Sequence, residues 1–207
     1  MTTSTHPTPS IEASAIAEKI ITEQDDPSLL AYAHQLRHSR NSTVIKAARV
    51  LGEVVSRRPE MATCAVSMLA QSLFSVHPRV VRMSAETLPA IARVAPAKVA
   101  KHLDQFQSQF YQASEIAQEG IVRTYVALCL ASVTYQRKLE HVFHTLLNKA
   151  TPKQLATWAE VLIPALKGEP HASCKEIVEA RLRQLPRDAA QKIASNLGIK
   201  LRALMAG

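Results

Sequence analysis

His141 and His144 stand three residues apart, a spacing that places two imidazoles on one helical face within reach of a single metal ion. The helix that carries them buries Leu139, Val142, Phe143 and Leu146, so both rings are predicted to face solvent, and no third ligand stands at a familiar spacing. Neither a metal nor a cofactor is therefore expected. Cys64, Cys129 and Cys174 are odd in number, far apart and free of any CxxC pair. Each falls in an apolar helical pattern, which predicts buried free thiols in a reducing compartment. There is no nucleophile elbow, no Walker loop and no zinc-protease signature, and nothing orders the Ser, His and Asp residues into a triad. Catalysis is not what these spacings point to.

Charge points elsewhere. The chain of 207 residues carries a formal net charge of +8, and that surplus is uneven. Residues 1–36 hold Lys19 against Glu12, Glu18, Glu23, Asp25 and Asp26, a balance of −4. Residues 37–101 hold eleven Lys and Arg against Glu53, Glu60 and Glu86, a balance of +8. An anionic partner is the physical implication, whether carboxylate or phosphate.

The elements that must position those cations repeat. Leu29, Tyr32 and Leu36 return 37 residues later as Val66, Leu69 and Leu73, and again as Leu103, Phe106 and Phe110. Val44, Ala48, Leu51 and Val54 return as Val81, Ala85, Leu88 and Ile91, and Pro59 as Pro96. A period of this size marks stacked helical units, each too small to bury its apolar face alone. Aromatic residues make up 4% of the chain and there are five glycines, which suits close-packed helices and not an all-β fold. Residues 1–9 read as a disordered tail, and Ser10 as the cap of a first helix with Ile11, Ile16, Ile20 and Ile21. Asp26-Pro27 starts the next helix. Helix pairs are then predicted at about 27–38 with 42–57, 59–74 with 79–94, 97–112 with 119–134, 138–149 with 152–167 and 171–184 with 187–197. Matching Val80-Val81-Arg82 to Ile121-Val122-Arg123 needs an offset of 41, which predicts a longer loop inside the third pair. Pro89 and Pro164 each fall inside a second helix and predict a kink there.

Over residues 27–197 this pattern resembles the HEAT family of α-solenoids, in which the second helix of each pair begins with a Val-Arg-like dipeptide. Val81-Arg82 and Val122-Arg123 fit that signature, whereas the first repeat has Val44-Ile45 before Lys46. Asn41, His77 and Gln118 stand where HEAT units commonly carry a turn aspartate. The resemblance implies an all-α fold: a short right-handed superhelix of about five antiparallel helix pairs with an N-terminal capping helix, forming one domain over residues 10–207. It also implies that the second helices line a concave face. Lys46, Arg49, Arg82 and Arg123 would then point into that groove, with Arg40, His77 and Arg79 on its rim, and Arg37 and His38 in the preceding turn.

A HEAT-like subclass of alkylpurine DNA glycosylases holds a damaged nucleotide with aromatic residues and an acid, and Trp158 with Glu160 admits that reading. Trp158 also falls on an apolar stripe with Leu155, Leu162 and Leu166, and core packing is the stronger expectation. The reading that follows is a non-enzymatic interaction module whose basic groove binds a protein partner or acidic segment. The alternative is sequence-independent nucleic-acid binding through the same residues. No apolar run reaches the roughly 18–20 residues of a membrane span, and the N-terminus lacks a secretory pattern. A soluble cytoplasmic protein is expected.

Overall fold

The computed structural model describes residues 9–38 and 40–199, and within them every regular element is helical. The expected tail lies outside these residues apart from Pro9, where helix α1 opens, one residue ahead of the expected cap at Ser10. In chain order the helices are α1 (Pro9–Glu23), α2 (Asp26–Gln35), α3 (Asn41–Arg57), α4 (Val66–Ser72), α5 (Pro78–Val94), α6 (Pro96–Ala100), α7 (Leu103–Gln109), α8 (Glu115–Ala131), α9 (Val133–Lys149), α10 (Pro152–Leu162), α11 (Gly168–Leu182) and α12 (Arg187–Asn196). Short 3-10 turns at Met61–Ala65, Phe110–Gln112 and Ile163–Ala165 complete them. None of the described helices is long and apolar enough to cross a membrane. The chain divides into two compact units, Met1–Thr124 and Tyr125–Gly207, so the boundary falls inside α8.

The first unit is built in two layers. Helices α1, α3 and α5 lie side by side in one, and α2, the Met61–Ala65 turn, α4 and α6 in the other. Helix α3 shows why. Val44, Ala47, Ala48, Leu51, Val54 and Val55 recur at helical spacing and are all buried, so the remaining face is left polar. Both predicted apolar columns lie in the core except for Tyr32, which is half-buried. On α1 the expected isoleucine face is mostly displaced: Ala13, Ala17 and Ile20 are buried while Ile11 is 61% exposed. Small residues bring α1 close against α3, and Ile11 lies off that face.

The 37-residue period is stricter in three dimensions than in the sequence. Helices α3, α5 and α8 start at 41, 78 and 115 and end at 57, 94 and 131, while the preceding helices end at 35, 72 and 109. The offset of 41 is therefore a misalignment, and the third pair has no longer loop. Its turn is closed by Gln118, whose Nε2 donates to the carbonyls of Phe110 (3.1 Å) and Ala113 (3.2 Å). The error of four residues is about one helical turn, so Ile121-Val122 meets the same face as Val80-Val81 and imitates it. Arg123 consequently occupies the place of Arg49 and Glu86, and Glu119 occupies the place of Arg82.

Helix α8 approaches α5 without a side chain between them. A Cβ on Gly120 would stand 2.4 Å from Ala85 Cβ and 2.6 Å from its Cα. Pro89, four residues beyond Ala85, lacks the N–H that Ala85's carbonyl would normally accept, yet α5 stays helical through it. Pro164 acts differently. Instead of kinking the helix it ends it: α10 stops at Leu162, a 3-10 turn follows, and Leu166 is extended.

In the second unit α9 lies beside α11 and α10 beside α12. Tyr125 and Phe143 meet edge to face at 6.2 Å within a core that also holds Leu146, Trp158, Cys174 and Val178. Cys129 and Cys174 are buried free thiols, and burial pushes them up to about 12 and about 11. Cys64 overturns the expectation of burial. It lies in the Met61–Ala65 3-10 turn, where Ala62 and Ala65 take the inner face three residues apart and Cys64 is exposed.

Candidate functional site

The polar face of α3 splits in two. On one flank Lys46 Nζ reaches Glu12 Oε1 at 2.5 Å, and Arg57 reaches Glu18 Oε2 at 2.5 Å, Ser14 Oγ at 2.6 Å and Glu53 Oε2 at 3.2 Å. These cations hold acidic α1 in place. The hydrogen bond to Glu12 also raises the Lys46 ammonium above its usual value. Lys46, expected to face a partner, pairs in this structure with the fold's own first helix.

The other flank faces α5 across a groove of about 450 Å³. Arg49 enters it from α3, and Arg79, Arg82 and Glu86 from α5. Apolar residues form much of its lining (Ile45, Ala48 and Gly52 from α3, Met83 and Ala90 from α5, and Ala13 at the edge of α1), and Glu53, Ser56 and Thr87 line it as well. No aromatic side chain lines it. Arg49, Arg79 and Arg82 have no ion-pair partner among the described residues. Elsewhere in this unit cations near a carboxylate do pair, as Lys46, Arg57 and Arg58 (with Glu60) show.

Three of the seven expected contact residues thus meet in one groove, and the other four do not. Arg123 pairs with Glu119 along its own helix at 2.6 Å. His77 lines a separate cleft with Arg37 and His38, one turn outside the groove. Arg40 lines neither; its backbone N–H donates to His38 Nδ1 at 3.0 Å, and its carbonyl accepts from Val44. The surface is not a uniform basic stripe either. At equivalent repeat positions Arg49 is followed by Glu86 and Arg123, and Ile45 by Arg82 and Glu119, so signs alternate from helix to helix.

In the second unit Trp158 is 4% exposed, whereas Glu160 is exposed, so the pair does not form an aromatic-acid site. His141 is exposed, but His144 is not simply solvent-facing. Its Nε2 lies 3.0 Å from Ser173 Oγ on α11, and Ser173 donates to Glu140 Oε1 at 2.8 Å. The serine hydroxyl donates to the carboxylate and not to the imidazole, so these groups brace α9 against α11 and do not form a nucleophile relay. Among the described residues no group of three or more His, Cys, Asp and Glu is placed to hold a metal.

Three polar residues that sequence reasoning passed over also belong to this unit's frame. Buried Gln136 donates to the carbonyls of Cys129 (3.0 Å) and Ala165 (3.3 Å) and accepts from Lys167 N–H (3.0 Å). Arg181 donates to the carbonyls of Leu147 (2.9 Å), Asn148 and Ala150 (2.8 Å), satisfying the end of α9. Thr151 caps α10 reciprocally with Gln154, and that signal, Thr-Pro-x-Gln, is readable in the chain.

No protein-family model matches the sequence. No curated protein matches it. A solved structure is similar in fold: the crystal structure of an engineered protein, a Northeast Structural Genomics Consortium target, superposes with a TM-score of 0.59 over 95% of this chain and 93% of its own, at 16% identity.

Proposed function

We propose that this protein is a non-enzymatic interaction module with a HEAT-like repeat, whose second helices form a concave inner layer and whose α3–α5 groove takes an acidic helical segment of a protein partner. The 37-residue spacing of helix ends and the side-by-side packing of α1, α3 and α5 support the repeat reading. The groove itself carries the functional one: three arginines with no ion-pair partner among the described residues stand around a largely apolar floor. Such a floor admits a close-packed helix, and the arginines orient its carboxylates. The chain contains its own precedent. Helix α1 is acidic, presents Ala13, Ala17 and Ile20 to α3, and is clasped through Glu12 and Glu18.

Nucleic acid fits the same groove less well. A duplex backbone needs an unbroken run of cations, and here Glu86 and Glu119 interrupt them. Single strands and flipped bases need aromatic platforms, which the groove lacks.

The test is fluorescence anisotropy with a labelled Glu/Ala/Leu helical peptide, a Lys/Ala/Leu counterpart, and duplex and single-stranded oligonucleotides. The acidic peptide is expected to bind saturably and the basic one not, with binding lost when Arg49→Glu and Arg82→Glu are combined. Salt separates the two ligand classes. A contact with six phosphates weakens by roughly 10³-fold between about 50 and 200 mM salt, whereas an apolar floor with charged edges responds much less. Oligonucleotide binding with that steep dependence, and no binding of the acidic peptide, replaces this proposal with the nucleic-acid one.

A further inference from the structure

The cleft that holds His77 is chemically different from the groove. It has a volume of about 340 Å³, near the lower end of the roughly 300–1,000 Å³ of ligand pockets, and lies between two turns one repeat apart. Arg37 and His38 come from the turn after α2, and Gln71, Ser75 and His77 from the end of α4 and the turn that follows it. No carboxylate lines it.

Its polar groups are biased toward donation by the bonds they already make. His38 Nδ1 accepts the Arg40 N–H at 3.0 Å, so the neutral ring carries its proton on Nε2 and is a donor there. Ser75 Oγ accepts the His77 N–H at 3.2 Å, which leaves the serine's own proton free to be given. Three of the lining carbonyls are occupied within the turns: Gln71 by Phe74, Ser72 by Ser75, and His77 by Val80 and Val81. The polar side chains that line the cleft are a guanidinium, two imidazoles, two hydroxyls (Ser72 and Ser75) and the Gln71 amide, with no negatively charged group among them. Arg37 has no ion-pair partner among the described residues.

We infer that this cleft is an oxyanion site that takes a phosphomonoester group. A dianion with several acceptor oxygens suits a cleft lined by donors and free of carboxylates, and the arginine adds charge-assisted bonds. The inference goes beyond the groove and does not depend on it.

The experiment follows backbone amide shifts of residues 37, 38, 75 and 76 by heteronuclear NMR at constant ionic strength. The probes are inorganic phosphate, free phosphoserine, a phosphoserine peptide and the same peptide without phosphate. Saturable shifts confined to these turns are expected with the three phosphorylated probes, weakened about tenfold or more by Arg37→Glu and by His77→Ala. His77→Ala keeps the carbonyl that starts α5, so it remains informative if Arg37→Glu disturbs the fold. Tighter binding of the phosphopeptide identifies a peptide-borne group, and equal binding identifies the free anion as sufficient; both support the site. Arg49→Glu with Arg82→Glu should leave these shifts unchanged. Absence of saturation with every phosphorylated probe, equal shifts with the unphosphorylated peptide, or shifts that persist in both cleft variants would overturn it.

Discussion

The first and second compact units are both made of packed helices, but the polar contacts that join their helices differ in burial. In Met1–Thr124 the charged contacts between helices lie at the surface, as in Lys46–Glu12 and Arg57–Glu18, whose side chains are 37–64% exposed. In Tyr125–Gly207 buried or half-buried side chains reach across helices, Gln136 and Arg181 to backbone carbonyls and Ser173 to Glu140 and His144. The cause is regularity. Where the repeat is strict, the turn satisfies its carbonyls locally, through backbone N–H groups such as those of Phe74 and Ser75 or through a nearby side chain such as Gln118. Where it is broken, carbonyls are left over, and side chains from distant helices must reach them. A regular stack rests on apolar columns; an irregular one needs polar clamps.

The largest expected effects test the columns. Leu51 and Leu88 are fully buried at equivalent repeat positions, so Leu51→Ala and Leu88→Ala should each cost about 2–5 kcal/mol in denaturant titrations. A loss below about 0.5 kcal/mol at both would sever the 37-residue register from stability. Gly120→Ala probes the same layer by overfilling it. The added methyl group meets Ala85 Cα as well as its Cβ, so backbone must move, at an expected cost of about 1–3 kcal/mol. A neutral Gly120→Ala would show that α8 can withdraw from α5 freely.

The clamps come next. Gln136→Ala leaves the Cys129 and Ala165 carbonyls and the Lys167 N–H without this partner in a buried place, and roughly 1–3 kcal/mol should be lost. The contrast is with the exposed Lys46–Glu12 pair. A double-mutant cycle on that pair should return no more than about 1 kcal/mol of coupling, falling with salt. Equal values for Gln136 and for the surface pair would break the distinction between the units.

Much of this was legible in the residues, and the failures share a cause. Periodicity found the buried columns, and the apolar stripe placed Trp158 in the core, because both follow from spacing along one helix. Arg123 was misplaced because a shift of four residues keeps an apolar doublet on the same helical face, so hydrophobic pattern alone could not reject it. The Lys46–Glu12 pair was not legible because Glu12 is 34 residues away on a helix whose packing site no local pattern states. Cys64 was expected to be buried because a 3-10 turn changes the period over five residues, too short a stretch to register. His144 and Arg181 depend on neighbours 29 to 34 residues distant. Local geometry could be read; pairings between helices could not.

The smallest expected effect compares helix starts in the two units. Asp25 caps α2 by accepting the Ser28 N–H at 2.9 Å, and hydrogen bonding to the Ser28 side chain, then to this N–H, holds its carboxyl below the usual carboxylate value. Thr151 caps α10 with a hydroxyl and Gln154 with an amide, neither of which titrates. A carboxyl whose folded value is depressed contributes stability above its unfolded value and loses it as pH falls through the folded one. Lowering the pH from about 5 to about 2 should therefore loosen the first turn of α2 while leaving that of α10 in place. The readout is the amide resonance of Ser28 against that of Gln154, followed by NMR with hydrogen exchange at each pH. Asp25→Asn keeps an acceptor at the cap without the titration, so it should flatten the Ser28 response and leave Gln154 unaffected. If Ser28 and Gln154 respond together in both proteins, acid acts on the whole fold and the cap of α2 is not the sensitive element.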